Sequence, residues 1–521
     1  MFNKPSDSLL LLIQSLSKTE KKNFKLYVTR NSRREGLRTV TLFDIMDKMQ
    51  HYDEEKILHK LGNMPKQQLL NIKARLTNDI LSSLRLLRDD TDIEGKMHEM
   101  MDFARILYGK GLYVQSLRML DKLKDFAGSY HQLSYLQQVL AFEKDIEGLH
   151  ITRSMQGRAE ELASAANEVR KQLTIVNGLS NLSLQLYSWY ITHGHARNEE
   201  DAQQLRTFFD DNFPAGGEQL HGFYQELYYH QSYCWLKFIL QDFFKYYKHV
   251  NNWVALFDRN PQMKQVEVSH YIKGLHNLAT AHFYLRNARR LSETIHDMEL
   301  FDACDAVRKN EGFGVPSFIY LYTAKINRHF LEGTFSEGLQ LVPFIEEQLL
   351  RYRLHFDVHR TLIFHYKIAC LYFGSGDNEM AIGYLNKIIN WKTDLRLDLQ
   401  CYARLLHLIA HYELGNYDLL EYLSRSVYKM MARMASLSVV EEEVFSFLKQ
   451  QLRTQQVAGR NALQTLLQKL RSHSGDKFET RAFSYLDITS WLESKLQGVP
   501  VQDVIRQKYL GSDKHRVIEN V

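Results

Sequence analysis

Gly111-Leu112-Tyr113-Val114-Gln115-Ser116 sets a pattern: a glycine, any residue, an aromatic, two further residues, then a small one. It returns as Gly333-Thr334-Phe335-Ser336-Glu337-Gly338. Looser copies read Gly376-Asp377-Asn378-Glu379-Met380-Ala381 and Gly415-Asn416-Tyr417-Asp418-Leu419-Leu420. Each copy ends one apolar helical pattern and starts another. Glycine tolerates the positive φ that a sharp turn needs at the end of a helix. The aromatic can wedge between two antiparallel helices, and the small residue lets the second helix approach closely. Ala104 and Tyr108, Ala369 and Tyr372, and Tyr412 precede their turns, while Leu120 and Leu385 follow the small residue by one turn. That is the spacing of a core stripe. Self-similarity at a fixed period outranks other sequence signals and predicts stacked helical hairpins.

The period is long. Gly333 to Gly376 spans 43 residues and Gly376 to Gly415 spans 39. Degenerate turns at Gly194, Asp242 and Asn287 fill the middle at steps of 48, 45 and 46. The pattern resembles the tetratricopeptide repeat, best from Ala104 to Leu120 and next from Ile368 to Leu385. That resemblance implies an all-α, right-handed α-solenoid of tetratricopeptide-like helical hairpins. The steps exceed that family's usual repeat of about 34 residues and imply longer helices. Leu420 stands where the family has a small residue, and Asn378 where it has an aromatic. The stretch from Leu16 to Lys25, with Ser490-Trp491-Leu492-Glu493-Ser494, also looks like a group of uncharacterised bacterial helical-repeat proteins, which implies no activity.

Composition agrees with a helical chain. Only 7 prolines interrupt 521 residues, and good helix formers are plentiful. A solenoid avoids the size limit of a single core, because each unit packs on its neighbours. Cys234, Cys304, Cys370 and Cys401 form no C-x-x-C pair and read as small buried hydrophobes. Disulfides are not expected, which fits a reducing compartment. The apolar run Leu9 to Ile13 is too short for a signal-peptide core, and no run approaches a membrane span. These features predict a cytoplasmic protein without membrane contact.

Net charge is +5, and its position matters. Residues 1–40 hold nine Lys and Arg against three acids, which leaves 57 basic and 58 acidic residues in the rest. Lys18, Lys21, Lys22 and Lys25 share one helix face, and Arg30, Arg33 and Arg34 extend it. Such a stripe suits contact with nucleic-acid phosphates or with a partner. It also suits a solvated helix face.

Three regions are expected: a helical N-terminal unit over 1–90, repeats over 91–435 and a helical C-terminal cap over 436–521. Ser17-Lys18-Thr19-Glu20 reads as a capping box that starts a helix near Lys18. Thr41 opens a short helix, Asp53 caps another, and Pro65 precedes a long one from about Lys66 to Leu87. Interruptions are expected at Asn212 to Gly217, at Asn260-Pro261 and at Gly312 to Pro316. Phe478 to Leu496 reads as an amphipathic helix, and Pro500 opens a last one.

Candidate chemistry is thin. His355/His359 and His407/His411 are His-x-x-x-His pairs, but Phe356 and Leu408 stand where the zinc-protease pattern needs glutamate. Asp90-x-Asp92-x-Glu94-Gly95 imitates the start of a calcium loop, but Met101 occupies the twelfth position, so a charged hinge and helix cap is expected. Gly374-Ser375-Gly376 lacks the lysine and hydroxyl of a phosphate loop. No nucleophile elbow occurs. No catalytic residue, metal or cofactor is therefore expected.

The aromatics are more numerous than one core face can hide. Tyr228, Tyr229, Tyr246 and Tyr247 are candidates for lining a groove, where tyrosine offers contact area with a polar tip. The expected function is a non-enzymatic scaffold that binds a protein or peptide partner. The alternative is a regulator whose basic N-terminal unit binds nucleic acid while the repeats sense a partner or ligand.

Overall fold

The computed structural model describes residues 8–31, 35–62, 64–87, 92–150, 157–308, 310–352, 358–391, 397–431, 439–454, 459–473 and 487–518. Every regular element among them is helical. The chain divides into two compact units, Met1–Leu123 and Lys124–Val521.

The first unit starts from local signals. Ser17 and Glu20 form the expected capping box: the Glu20 amide donates to Ser17 Oγ at 3.3 Å, and the Ser17 amide donates to Glu20 Oε2 at 2.7 Å. The helix Lys18–Asn31 follows. The side chain of Asp53 caps Glu54–Lys60 by accepting from the Lys56 amide at 3.0 Å. Pro65 leads into Lys66–Arg85. Two points correct the sequence reading. The helix expected to open at Thr41 runs over Glu35–Asp47. The run Leu9 to Ile13 sits in a further helix, Ser8–Ser15, which buries Leu9, Leu10 and Ile13. Eight residues suffice because the helix lies against a core that includes Phe24, Phe43 and Met46.

In the second unit, antiparallel helices follow one another through tight turns. The first helices of the hairpins are Phe223–Ile239, Val268–Tyr284, Glu311–Glu332, Val358–Ser375 and Leu397–Glu413. Their partners begin at Phe243, Ala288, Phe335, Asn378 and Tyr417. Each turn has a residue at positive φ: Gln241, Arg286, Gly333, Gly376 and Gly415. The next amide reaches back five residues, as in Asp242 N to Lys237 O at 2.9 Å and Asn287 N to His282 O at 2.9 Å. The bonds at Thr334, Asp377 and Asn416 are the same. This satisfies a carbonyl that the helix end would otherwise orphan. The side chains of Asp242, Asn287 and Asp377 then cap the second helix. Gly111, in the first unit, has the same turn, with Leu112 N bonded to Leu107 O at 3.0 Å.

The motif aromatics wedge as expected. Tyr113 packs on Tyr108 at 5.6 Å, Phe335 on Phe330 at 5.5 Å and Tyr417 on Tyr412 at 6.2 Å between ring centroids. Gly374 makes room for Phe335: a Cβ there would lie 2.2 Å from the ring. Gly312 to Pro316 is not a break. It forms the opening turns of Glu311–Glu332, where Asn310 Oδ1 accepts from the Gly312 amide at 2.9 Å. Pro316 is the sixth residue of this helix and removes one backbone hydrogen bond, the one its position would make to the Gly312 carbonyl. The core passes from hairpin to hairpin, since Tyr284, Tyr320, Tyr322 and Leu331 touch two successive apolar clusters.

The C-terminal helices return to earlier hairpins. Trp491, 1 % exposed, donates from Nε1 to Glu413 Oε1 at 2.8 Å. The helix Val501–Ile518 lies on the Gly333 turn, where Arg506 donates to the Glu332 carbonyl at 3.1 Å. A Cβ at Gly333 would meet the Arg506 amide nitrogen at 2.4 Å, so glycine there serves both φ and contact.

Candidate functional site

Helical spacing brings one face of several helices of the second unit around a cavity of about 330 Å³. Lys273, His276, Asn277, Thr280 and Tyr284 recur at three- and four-residue intervals along Val268–Tyr284. Tyr320, Thr323 and Asn327 do so on Glu311–Glu332, and Arg360, Ile363, Phe364 and Lys367 on Val358–Ser375. Residues at that spacing share a helix face. Trp235 and Phe238 from Phe223–Ile239 and Tyr187 and Tyr190 from Arg158–His193 complete an aromatic wall.

The electrostatics are one-sided. Lys273, Arg360 and Lys367 line the cavity, and none of the described lining residues is an Asp or Glu. Lys273 holds its ammonium over the rings of Tyr187 at 5.4 Å and Trp235 at 5.6 Å. Burial lowers its pKa, and the Arg360 charge adds to the effect. Lys367 is 3 % exposed, and its Nζ donates to Asn327 Oδ1 at 2.5 Å. Burial pulls its pKa down to about 8. The His276 ring stacks on Tyr320 at 4.1 Å. Burial, then the charges of Lys273, Lys367 and Arg360, hold His276 neutral with a pKa of about 3. Charges in such a setting are poorly screened, and the Arg360 charge disfavours the charged form of Lys273. Tyr246 donates from its hydroxyl to Asn277 Oδ1 at 2.9 Å, and Asn277 Nδ2 donates to the Lys273 carbonyl at 2.8 Å. These bonds fix the turn of helix that carries Lys273.

Of the four expected groove tyrosines, Tyr246 lines the cavity. The others stand apart from its lining. Tyr228 meets His270 edge-on, Tyr229 packs on Tyr233 and His249, and Tyr247 lies 5.3 Å from His282. The amphipathic pattern of Phe243–Arg259 explains the split: Tyr246 falls on its buried stripe, with Val250 and Trp253.

The N-terminal basic face is partly neutralised. Lys21 pairs with Asp47 and Lys25 with Asp44, each at 2.6 Å. Lys18, Lys22 and Arg30 are exposed, while Arg33 and Arg34 lie outside the described residues. Sequence charge counting passed over Lys273, Arg360 and Lys367, because acids elsewhere in the second unit balance them. The available signal was the seven-residue spacing of Arg360 and Lys367, which puts those two on one helix face.

Other candidates fall into place. His407 and His411 sit 4.5 Å apart, and burial holds His407 neutral with a pKa of about 4. No group of three or more His, Cys, Asp or Glu suited to a metal ion occurs among the described residues. His355, the His359 side chain and Asp90 lie outside them. Asp92 caps a helix through the Gly95 amide at 2.9 Å. Among the described residues no helix is long and apolar enough to cross a membrane. Comparison of the chain with protein families, with curated proteins and with solved structures finds no match to any of them.

Proposed function

We propose that this protein is a non-enzymatic binding scaffold and that the cavity is its binding site. In this reading the hairpins continue as a right-handed tetratricopeptide-like solenoid whose first helices present the recessed surface. One observation carries it: several helices, from successive hairpins, direct aromatic rings and a few convergent polar groups into one recess. Recessed apolar walls with few polar groups are the usual form of a binding site. The expected partner is a protein or peptide whose bound group enters the cavity.

The one-sided charge of the recess favours a second reading, in which the repeats sense a ligand. The Lys21 and Lys25 ion pairs reduce the charge available for nucleic acid, so contact at the N-terminal face is the weaker half of the regulator alternative. The test is capture from nuclease-treated lysate with the full chain and with Thr323→Trp, which fills the cavity. A partner held by the native chain and lost by the variant is expected. Partners held equally by both, or removed by nuclease, overturn the reading.

A further inference from the structure

We infer that the cavity takes a small organic anion, a planar ring carrying phosphate or carboxylate groups. This rests on reading the cavity as the binding site. Size comes first. About 330 Å³ is at the small end of ligand pockets and holds one small molecule or a few side chains.

Charge comes second. Lys273, Arg360 and Lys367 converge where no described lining residue is acidic. Lys273 decides between a structural and a ligand role. Its ammonium has ring faces beneath it, Tyr187 and Trp235, and no carboxylate or carbonyl within hydrogen-bonding reach among the described residues. An ammonium has three donors, which a ring face does not satisfy as an anionic oxygen would. A bound anion would offset the Arg360 charge beside Lys273 and gain charge-assisted hydrogen bonds. Lys273 meets the phosphate or carboxylate as a point charge, and the Arg360 charge lining the same cavity adds to the positive field.

The ring follows from the walls. Trp235, Phe364 and Tyr284 give flat apolar surface beside the cations. His276, held neutral among them, offers a hydrogen-bonding nitrogen instead of a fourth charge. An anion with a ring uses both parts of the cavity, whereas a bare anion leaves the aromatic wall unused.

The experiment is calorimetric titration and thermal melting of the full chain with adenosine monophosphate, trimesate, pyrophosphate and adenosine. Either adenosine monophosphate or trimesate is expected to bind, which separates phosphate from carboxylate. Pyrophosphate and adenosine should bind at least about tenfold more weakly, as each lacks one half of the match. Lys273→Met should weaken binding about tenfold or more, Lys273→Arg should retain most of it, and unliganded Lys273→Met should melt no lower than the native chain. The inference is overturned if neither ring anion binds, if Lys273→Met leaves binding unchanged, or if that variant melts lower without ligand. Lys273-dependent binding of polyglutamate alone would overturn the small-molecule assignment and leave the scaffold standing. Equal capture of lysate partners by Thr323→Trp would remove the scaffold reading itself.

Discussion

Two groups of basic side chains contrast in this protein. The first is contiguous in sequence, on the helix Lys18–Asn31, and two of its lysines reach Asp44 and Asp47 of the helix Glu35–Asp47. The second is scattered in a stretch with no net excess of charge, yet Lys273, Arg360 and Lys367 meet in one recess with no acid among its described walls. The exposed group is charged and mostly solvated or paired. The recessed group is charged where burial reduces screening by solvent, most of all at Lys367. Charge density along a chain therefore says little about where an electrostatic site lies, because pairing is decided by neighbours in space.

The same contrast holds for histidine, and it gives the largest expected effect. His51, His59 and His98 of the first unit are exposed. His230, His282 and His407 of the second are at most 8 % exposed, and burial first of all holds each at a pKa of about 4 against an ordinary 6.5. A depressed histidine pKa means that the fold favours the neutral form. Its stabilisation is complete above pH 6.5 and is lost as pH falls toward 4. At about 1.4 kcal/mol for each tenfold change in proton affinity, each is worth up to about 3 kcal/mol. Hydrogen exchange resolved by peptide should show the second unit opening across this window while the first stays protected. Loss of protection in both units together would break the contrast.

Lys367 gives the next effect. Its pKa of about 8 lies below the ordinary 10.5, so the fold disfavours its charged form. Stability is lowest below pH 8 and recovers as pH rises to 10.5, by up to about 3 kcal/mol. Urea midpoints across that range should climb for the native chain and stay flatter for Lys367→Met. Equal slopes would mean that burial does not depress the Lys367 pKa.

A smaller effect concerns the frame that carries the recess. Gly374→Ala places a methyl against Phe335 and should cost about 1–3 kcal/mol in chemical denaturation. No change would mean that the ring moves aside freely.

The smallest is expected at the N-terminus. Lys21→Ala and Lys25→Ala should each cost about 0.2–1 kcal/mol, as exposed ion pairs do, and should leave ligand binding at the cavity unchanged. A larger loss, or a loss of binding, would give the basic face a role that its pairing argues against.

Several elements are legible in the chain itself. The turns at Gly111, Gly333, Gly376 and Gly415 have the positive φ that their glycines imply, and Asp242 and Asn287 cap helices as their side chains imply. Gln241 and Arg286 are harder, since a non-glycine residue does not advertise positive φ; Gln241 is held in place by its Nε2 bond to the Ala196 carbonyl at 3.1 Å. The helix Ser8–Ser15 escapes a sequence reading because its stability comes from the core it covers and not from its length. At the cavity only Tyr246 was anticipated.

The sequence by itself determined helices, turns, caps and the hairpin rhythm, because each depends on residues within about two helical turns of one another. Tertiary structure alone decided which cations share a recess without acids among its described walls, which tyrosine faces that recess, and that Val501–Ile518 packs on the Gly333 turn. Those outcomes depend on burial and on contacts between hairpins far apart in the chain. Periodicity can show which side chains share a helix face, but not what that face will meet.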